Sequence, residues 1–297
     1  MPPKNVRTTE AQVVEKSWVS PHLVRLVLAA PGGGPLSELP GNEFADAYVK
    51  VVLPPRGVTL PWPYDAAELR ETLPPEQWPV MRTYTIRSFD GVHLTLDFVV
   101  HGDEGIAGPW ARDVEPFGEG SLVQLRGPGG AYSPDLDADH HLLVGDASAL
   151  PAIAVALERL PSGASADVVV EVEDAADEIE LPTLASATVR WVHAACSSLP
   201  PGEEIVAVVR SLRLPGGGDD DEGATAASGP DVHAFVHGEA GWVKELRSHL
   251  RFERGVPRER LSISGYWRRG VDDEQWRESK REWNAQVEAT ELAATGG

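Results

Sequence analysis

The 297-residue sequence is poor in cysteine, methionine and positive charge. Its single cysteine, Cys196, excludes an intramolecular disulfide framework and any zinc or iron–sulfur site built from cysteines. A reducing, cytoplasmic setting is expected. Lys and Arg total 26 against 46 Asp and Glu, a formal net charge of −20. That balance argues against nucleic acid as a partner, because phosphates must be met by basic patches. It also makes a cation in a cleft informative, since the chain as a whole repels anionic ligands. No apolar run approaches the roughly 18 residues that cross a bilayer. Met1-Pro2-Pro3-Lys4-Asn5 is not followed by the apolar stretch of a signal peptide, so no membrane insertion is expected.

What is present is enough apolar sequence, 42%, to bury the cores of two ordinary domains. From about residue 8 to 130 short strands alternate with proline and glycine, the pattern of a small antiparallel barrel. They are Ala11 to Trp18, His22 to Leu28, Asp46 to Leu53, Arg82 to Phe89, His93 to Val100 and Ser121 to Arg126. Pro54 to Pro79, rich in proline and holding Trp62 and Trp78, reads as a surface loop. After Asp139 apolar strands alternate with helices, which implies a parallel sheet covered on both faces. The expected division is 1–135 for the barrel and 136–297 for the α/β domain with a C-terminal helix. Pro215 to Pro230 is too polar and glycine-rich to bury anything and reads as a solvated loop.

Four stretches could carry chemistry. Arg82-Thr83-Tyr84-Thr85-Ile86-Arg87 lies on a strand, where alternation puts Arg82, Tyr84 and Ile86 on one face. A flat ring, hydroxyls and two guanidinium forks suit a planar cofactor with a diphosphate tail. A sheet edge with solvated arginines accounts for the same residues. Gly105-Ile106-Ala107-Gly108-Pro109-Trp110 leads from a strand into a short helix, Trp110 to Val114, whose start could meet a phosphate. Gly145-Asp146-Ala147-Ser148-Ala149-Leu150-Pro151 repeats this design at the end of the first α/β strand, without the GxGxxG fingerprint. A capped helix without a ligand is the alternative. In Gly265-Tyr266-Trp267-Arg268-Arg269-Gly270 the Trp and Arg could cover a ring and hold an anion, or the Trp could pin the last helix.

Lys50, a lone lysine in an apolar strand, either snorkels to solvent or stands at a pocket rim. His140-His141 is not a metal site, because neighbouring strand residues point apart and no third ligand follows at suitable spacing. No nucleophile–base triad is legible.

Taken in register, these elements resemble the siderophore-interacting proteins, flavin-dependent ferric-siderophore reductases of the ferredoxin-reductase-like superfamily. The resemblance rests on Arg82 to Arg87, Asp97 to Gly102, Gly127-Pro128-Gly129-Gly130, Gly145 to Pro151, His237-Gly238-Glu239-Ala240 and Gly265 to Gly270. It implies an FAD-binding barrel followed by an NAD(P)H-binding α/β domain. Tyr84 would stack on the flavin, Thr85 would lie near its reactive nitrogen and Arg82 would bind the diphosphate. The backbone of Asp97 to Val100, Val99 included, would border the ring, His101 would lie beside the cofactor, and Ala107 and Gly108 would hold phosphate. Gly145, Asp146, Ser148 and Ala149 would face the nicotinamide cofactor, and Trp267 would cover a cofactor ring. Lys50 with Arg268 or Arg269 would attract the ferric siderophore. The implied reaction passes hydride from NAD(P)H to FAD and then single electrons to Fe(III), in a monomer. A general NAD(P)H:flavin oxidoreductase and a non-catalytic siderophore carrier are the rival functions.

Three departures stand out. Gly108 occupies a position where the family often has serine, and Gly129 one where Gly-Pro-Arg-Gly is usual. Ala194 follows Trp191-Val192-His193 where an arginine is common. With Glu171 and Glu173 nearby in sequence, that last change leans the donor toward NADH, which has no 2′-phosphate to neutralise.

Overall fold

The computed structural model describes residues 8–36, 39, 43–215, 231–271 and 273–295, with side chains described as far as 286 except at 273. The chain divides into two compact units, Met1–Ser133 and Pro134–Gly297.

In the first unit, strands β1 (Thr8–Ser20), β2 (Leu23–Ala29), β3 (Tyr48–Leu53), β4 (Val80–Phe89), β5 (Leu94–Val99) and β6 (Leu122–Gly129) close an antiparallel barrel in the order β1-β2-β5-β4-β3-β6. The inward residues recur with the period of two that a pleated strand imposes. Val24, Leu26 and Leu28 of β2, Val49, Val51 and Leu53 of β3, Leu94, Leu96 and Phe98 of β5, and Val123 and Leu125 of β6 form its core. The stretch from Pro54 to Pro79 is more ordered than a plain loop. It holds helix α1 (Ala66–Thr72) because Asp65 caps it, accepting from the amides of Ala67 and Glu68, and because Leu69 is buried. The helix expected from Trp110 starts earlier, as α2 (Ala107–Asp113), and takes in the Gly-Pro step.

The second unit is a parallel sheet ordered β11-β10-β7-β8-β9. Its strands are β7 (His140–Asp146), β8 (Ser165–Val172), β9 (Ser186–His193), β10 (Val232–Glu239) and β11 (Leu261–Trp267). Helices α3 (Leu150–Arg159), α4 (Glu203–Ser211) and α5 (Ala240–Ser248) make the connections, and α6 (Asp273–Thr295) follows β11. Strands β7 and β10 are apolar throughout their middles because helices cover both faces. Trp276 and Trp283 of α6 enter the core against Val236, Ala240 and Val243. The order reverses at β7, with β8 on one side and β10 on the other. The carboxyl ends of β7 and β10 therefore flank the crevice where open α/β sheets bind ligands. The polar loop expected over Pro215 to Pro230 lies, from residue 216, outside the described residues. No described helix is long and apolar enough to cross a membrane.

Candidate functional site

The barrel wall has a gap. The ladder between β4 and β5 stops at Ile86↔Leu96. Beyond it β5 still pairs with β2 as far as Leu23↔Val99, and β4 with β3 as far as Leu53↔Val80. Tyr84 to Val80 and Asp97 to Val99 are thus two strand edges that face each other without a shared ladder. Backbone groups on such an edge need partners, and a ligand can supply them.

The side chains that the sequence singles out lie along this gap. Arg82 stands opposite Val51 and Tyr84 opposite Val49, so both share the face of the barrel's apolar residues. The Tyr84 ring leans on Phe98, centroids 4.0 Å apart and planes tilted by 35°. Arg82 is half-buried and donates from Nη1 to the carbonyl of Met81 at 3.1 Å. Thr85 is buried on the opposite face, across from Tyr48. The Asp97 carboxylate is held by Arg25, with Nε to Oδ1 at 2.7 Å and Nη2 to Oδ2 at 2.8 Å. Asp97 thus turns its side chain to Arg25 and leaves its backbone to the gap. Arg25 carries no motif signal, and only the register Arg25↔Asp97 shows its role.

The turn after β5 runs through Gly102 (φ +55°) and Gly105 (φ +73°) into α2. His101 at its start is exposed. Ala107 and Gly108 are buried, and a Cβ on Gly108 would lie 2.8 Å from the Val99 carbonyl oxygen. Close packing of α2 on β5 therefore accounts for glycine where serine was the expectation. Gly129 has a similar reason: a Cβ there would fall 2.4 Å from Cζ of Tyr48, whose ring fills the space that an arginine side chain would leave through.

Lys50 lies on the outer face of β3, opposite Thr83 of β4 on one side and Arg126 of β6 on the other. FAD is the group that the resemblance implies for this unit. The unladdered edges, Tyr84 on Phe98, and a glycine-tight approach of α2 to Val99 fit a flat ring with a phosphate tail.

In the second unit three sequence elements converge at the sheet's carboxyl edge. Asp146, at the end of β7, is buried. Its Oδ1 accepts from the Ser148 amide at 2.9 Å and from the Ser148 hydroxyl. Its Oδ2 accepts from the Glu239 amide at 2.9 Å and from Nε1 of Trp267 at 2.8 Å. Burial pushes the Asp146 carboxyl upward, against these hydrogen bonds, which favour its ionised form. Glu239 caps α5 by accepting from Gly241 and Trp242, and its Oε1 accepts from the Arg269 amide. Gly238 (φ +153°) has to be glycine, since a Cβ would lie 2.4 Å from the Trp242 ring and 2.5 Å from Asp146. Gly145 and Ala149 are buried against each other, and a Cβ on Gly145 would lie 2.6 Å from that of Ala149.

Arg268 and Arg269 are exposed, and the Arg269 guanidinium lies 5.6 Å from the Trp267 ring centre. Burial, then repulsion from Asp146, raises Glu171 to about 7, against the pull of Arg269. Several amide donors of this edge are thus already satisfied by the chain's own carboxylates. The His140-His141 pair is no ligand set. His140 bonds Ser165 and Asp167, whereas His141 is fully buried and lowered to about 4, chiefly by burial. Among the described residues no group of three or more potential metal ligands occurs.

Known proteins resemble this chain over nearly its whole length. Residues 12–132 match the siderophore-interacting FAD-binding domain, and residues 138–270 match the siderophore-interacting protein family. The chain is 39% identical over 286 residues to an uncharacterised protein of Mycobacterium tuberculosis, covering 91% of this chain and 94% of that one. It is 30% identical over 272 residues to the ferric vibriobactin reductase ViuB of Vibrio cholerae, covering 90% and 92%. Among solved structures, the siderophore-interacting protein SipS of Aeromonas hydrophila superposes with a TM-score of 0.71 at 32% identity, covering 93% of this chain and 98% of SipS. The ferredoxin reductase of carbazole 1,9a-dioxygenase shares the fold, with a TM-score of 0.59 at 14% identity over 90% of this chain and 71% of that one. The chain belongs to the siderophore-interacting protein family, in which a ferredoxin-reductase-like fold opens with an FAD-binding barrel.

Proposed function

We propose that the protein binds FAD along the gap between β4 and β5 and reduces Fe(III) held in a siderophore, drawing electrons from a reduced nicotinamide. The observation that carries this reading is the interrupted β4–β5 ladder with Arg82, Tyr84 and Thr85 beside it, in a chain of this family. Arg82 neutralises diphosphate charge, and the amides of Ala107 and Gly108 receive phosphate oxygens. Tyr84 presents its ring to the isoalloxazine and Thr85 its hydroxyl to the reactive edge. The main chain of Asp97 to Val99 borders the ring, with Arg25 holding it in place and His101 at the start of the turn beyond. Bound FAD supplies the exchange between a two-electron donor and one-electron acceptors, so that NADH + 2 Fe(III) gives NAD⁺ + H⁺ + 2 Fe(II). Lys50, on the outer face of β3, offers positive charge to a ferric chelate. An electron passed through space to chelated iron needs no general acid or base, and Fe(II) binds hard oxygen donors less tightly than Fe(III).

The donor is assigned to the carboxyl edge of the second unit, at the turn from Gly145 to Ala149 and beside Trp267. Asp146, Glu171 and Glu239 gather carboxyl groups at that edge, and exposed Ala194 brings no cation to it. A 2′-phosphate would find no arginine at residue 194 to neutralise it, which supports NADH over NADPH.

The test is an absorbance spectrum of the purified protein, followed by anaerobic addition of NADH with and without a ferric chelate. Flavin absorbance near 450 nm, bleached by NADH and restored by the chelate as Fe(II) accumulates in a ferrous trap, is the expected result. Colourless protein that takes up no FAD, or a reduced flavin that ferric chelates do not reoxidise, would overturn the proposal.

A further inference from the structure

A row of aromatic rings runs from the gap through the barrel core. The Tyr84 ring of β4 leans on Phe98 of β5, centroids 4.0 Å apart. Phe98 in turn meets Trp110 of α2 edge-on, at 5.6 Å and 60°. Among the described residues, Phe98 is the one aromatic side chain in the buried core of the barrel, which is otherwise built from Ala, Val and Leu. It is fully buried, whereas Tyr84 and Trp110 are half-buried. The indole Nε1 of Trp110 donates to the Gly120 carbonyl at 3.1 Å, in an exposed hydrogen bond. Aliphatic side chains of matching volume would fill such a core equally well. What the rings add is a run of π-contacts with an oxidisable residue at either end, a phenol at the gap and an indole on α2. Phenol and indole give up an electron far more readily than a benzene ring, so Phe98 is the bridge between them. Oxidation makes the indole N–H more acidic, and the Gly120 carbonyl, an acceptor, favours that state.

The chemistry proposed for the gap creates a need for such a run. Fe(II) formed beside it reduces hydrogen peroxide to hydroxyl radical and hydroxide, and is itself returned to Fe(III). The chain has one cysteine and two methionines, so sulfur offers few sinks for an oxidant. The cysteine, Cys196, is exposed on the second unit.

We infer that Tyr84, Phe98 and Trp110 form a relay that carries a one-electron oxidising equivalent from the flavin site to the barrel surface, where a reductant of the thiol or ascorbate class quenches it. The inference rests on the FAD and ferric-reductase reading above and gives the same site a protective function. Hydroxyl radical takes an electron and the phenolic proton from Tyr84, giving water and a tyrosyl radical. Trp110 returns the electron across Phe98, and the phenoxyl oxygen regains a proton from solvent. The indole, one electron short, sheds its Nε1 proton to water. The reductant then restores Trp110 with one electron and one proton. Quenching at the surface, rather than a difference between phenol and indole, gives the relay its direction.

The experiment uses the full FAD-loaded chain, anaerobic and without iron, and a blue flash that makes the bound flavin a strong one-electron oxidant. Time-resolved absorption of wild type should show a tryptophan radical that ascorbate removes. Trp110→Phe should lose that signal and leave a short-lived tyrosyl radical, and Trp110→Tyr should restore a long-lived radical of tyrosyl type. Trp267→Phe should keep the tryptophan radical, and FAD content of the two Trp110 variants should match wild type. A tryptophan radical that persists in Trp110→Phe, one that vanishes in Trp267→Phe, or loss of FAD from Trp110→Phe would each overturn the inference. A second arm uses turnover with NADH, ferric citrate and hydrogen peroxide, followed by peptide mapping by mass spectrometry. Wild type should carry oxidised indole at Trp110 and intact Tyr84. In Trp110→Phe the oxidation should move to Tyr84 and activity should decay faster; equal decay, or wild type oxidised at Tyr84 instead, would overturn the relay. Wild type that binds FAD and reduces ferric chelates but forms no Trp110 radical overturns the inference alone. Wild type that takes up no FAD overturns the flavin reading as well.

Discussion

Trp267 donates from Nε1 to Oδ2 of Asp146 at 2.8 Å, tying the end of β11 to the end of β7 across β10. The same oxygen accepts the amide of Glu239 on the strand between them. One carboxylate therefore fastens three adjacent strands at the edge where ligands enter α/β sheets. Replacing Trp267 with Phe keeps most of the ring and removes one donor from a buried carboxylate. The expected cost is about 1–3 kcal/mol, seen as a lower midpoint in urea denaturation with an unchanged slope.

Glu171 makes stability depend on pH. Its folded-state value of about 7 is higher than an ordinary glutamate's 4.5, so between these values the folded chain holds a proton that the unfolded chain has lost. Its contribution to stability is therefore present below about 4.5, declines as pH rises toward 7, and is gone above. Glu171→Gln cannot ionise and escapes that decline. The difference in Tm between Glu171→Gln and wild type should grow from pH 5 to pH 7 and then level off; a constant difference would contradict the shift.

Gly129→Arg, which restores the residue usual in the family, should not restore a cation to the site at no cost. The new Cβ meets the Tyr48 ring at 2.4 Å, an overpacking that costs about 1–3 kcal/mol. In a Tyr48→Ala background the same substitution should be nearly neutral. Thermal denaturation of the four proteins in this cycle gives the coupling directly.

Arg25→Ala leaves the Asp97 carboxylate, 2% exposed, without its bidentate partner. The loss should be roughly 2–3 kcal/mol, below that of a fully buried pair because 31% of the Arg25 side chain is exposed. FAD affinity should fall with it, because Asp97 to Val99 form one edge of the gap. Fluorescence titration of the apoprotein with FAD measures this, and Arg25→Ala/Asp97→Asn should recover part of the stability.

Much of the architecture was legible from residue order. Alternation of two in β2, β3 and β5 and the strand–helix rhythm after Asp139 led to an antiparallel barrel and a parallel sheet, and both are present. The Pro54–Pro79 stretch, rich in proline as a loop would be, nevertheless holds α1, because Asp65 caps its first turn and Leu69 is buried. The glycine departures could be noticed in sequence but not explained. Gly108 is glycine because Val99 is beside it, and Gly129 because Tyr48 is above it, contacts between residues far apart in the chain. Arg25 offered no motif at all. It gains meaning from a register, Arg25↔Asp97, that no local pattern specifies.

By itself the sequence determined the two kinds of sheet, the family, and the hexapeptide Arg82 to Arg87, because period, turn residues and motif order are local properties written along the chain. Only the tertiary structure decided where the β4–β5 ladder ends and which carboxylates are already engaged. Those depend on strand register and bulges, which bring distant residues within a few ångströms of each other and so set which charges meet.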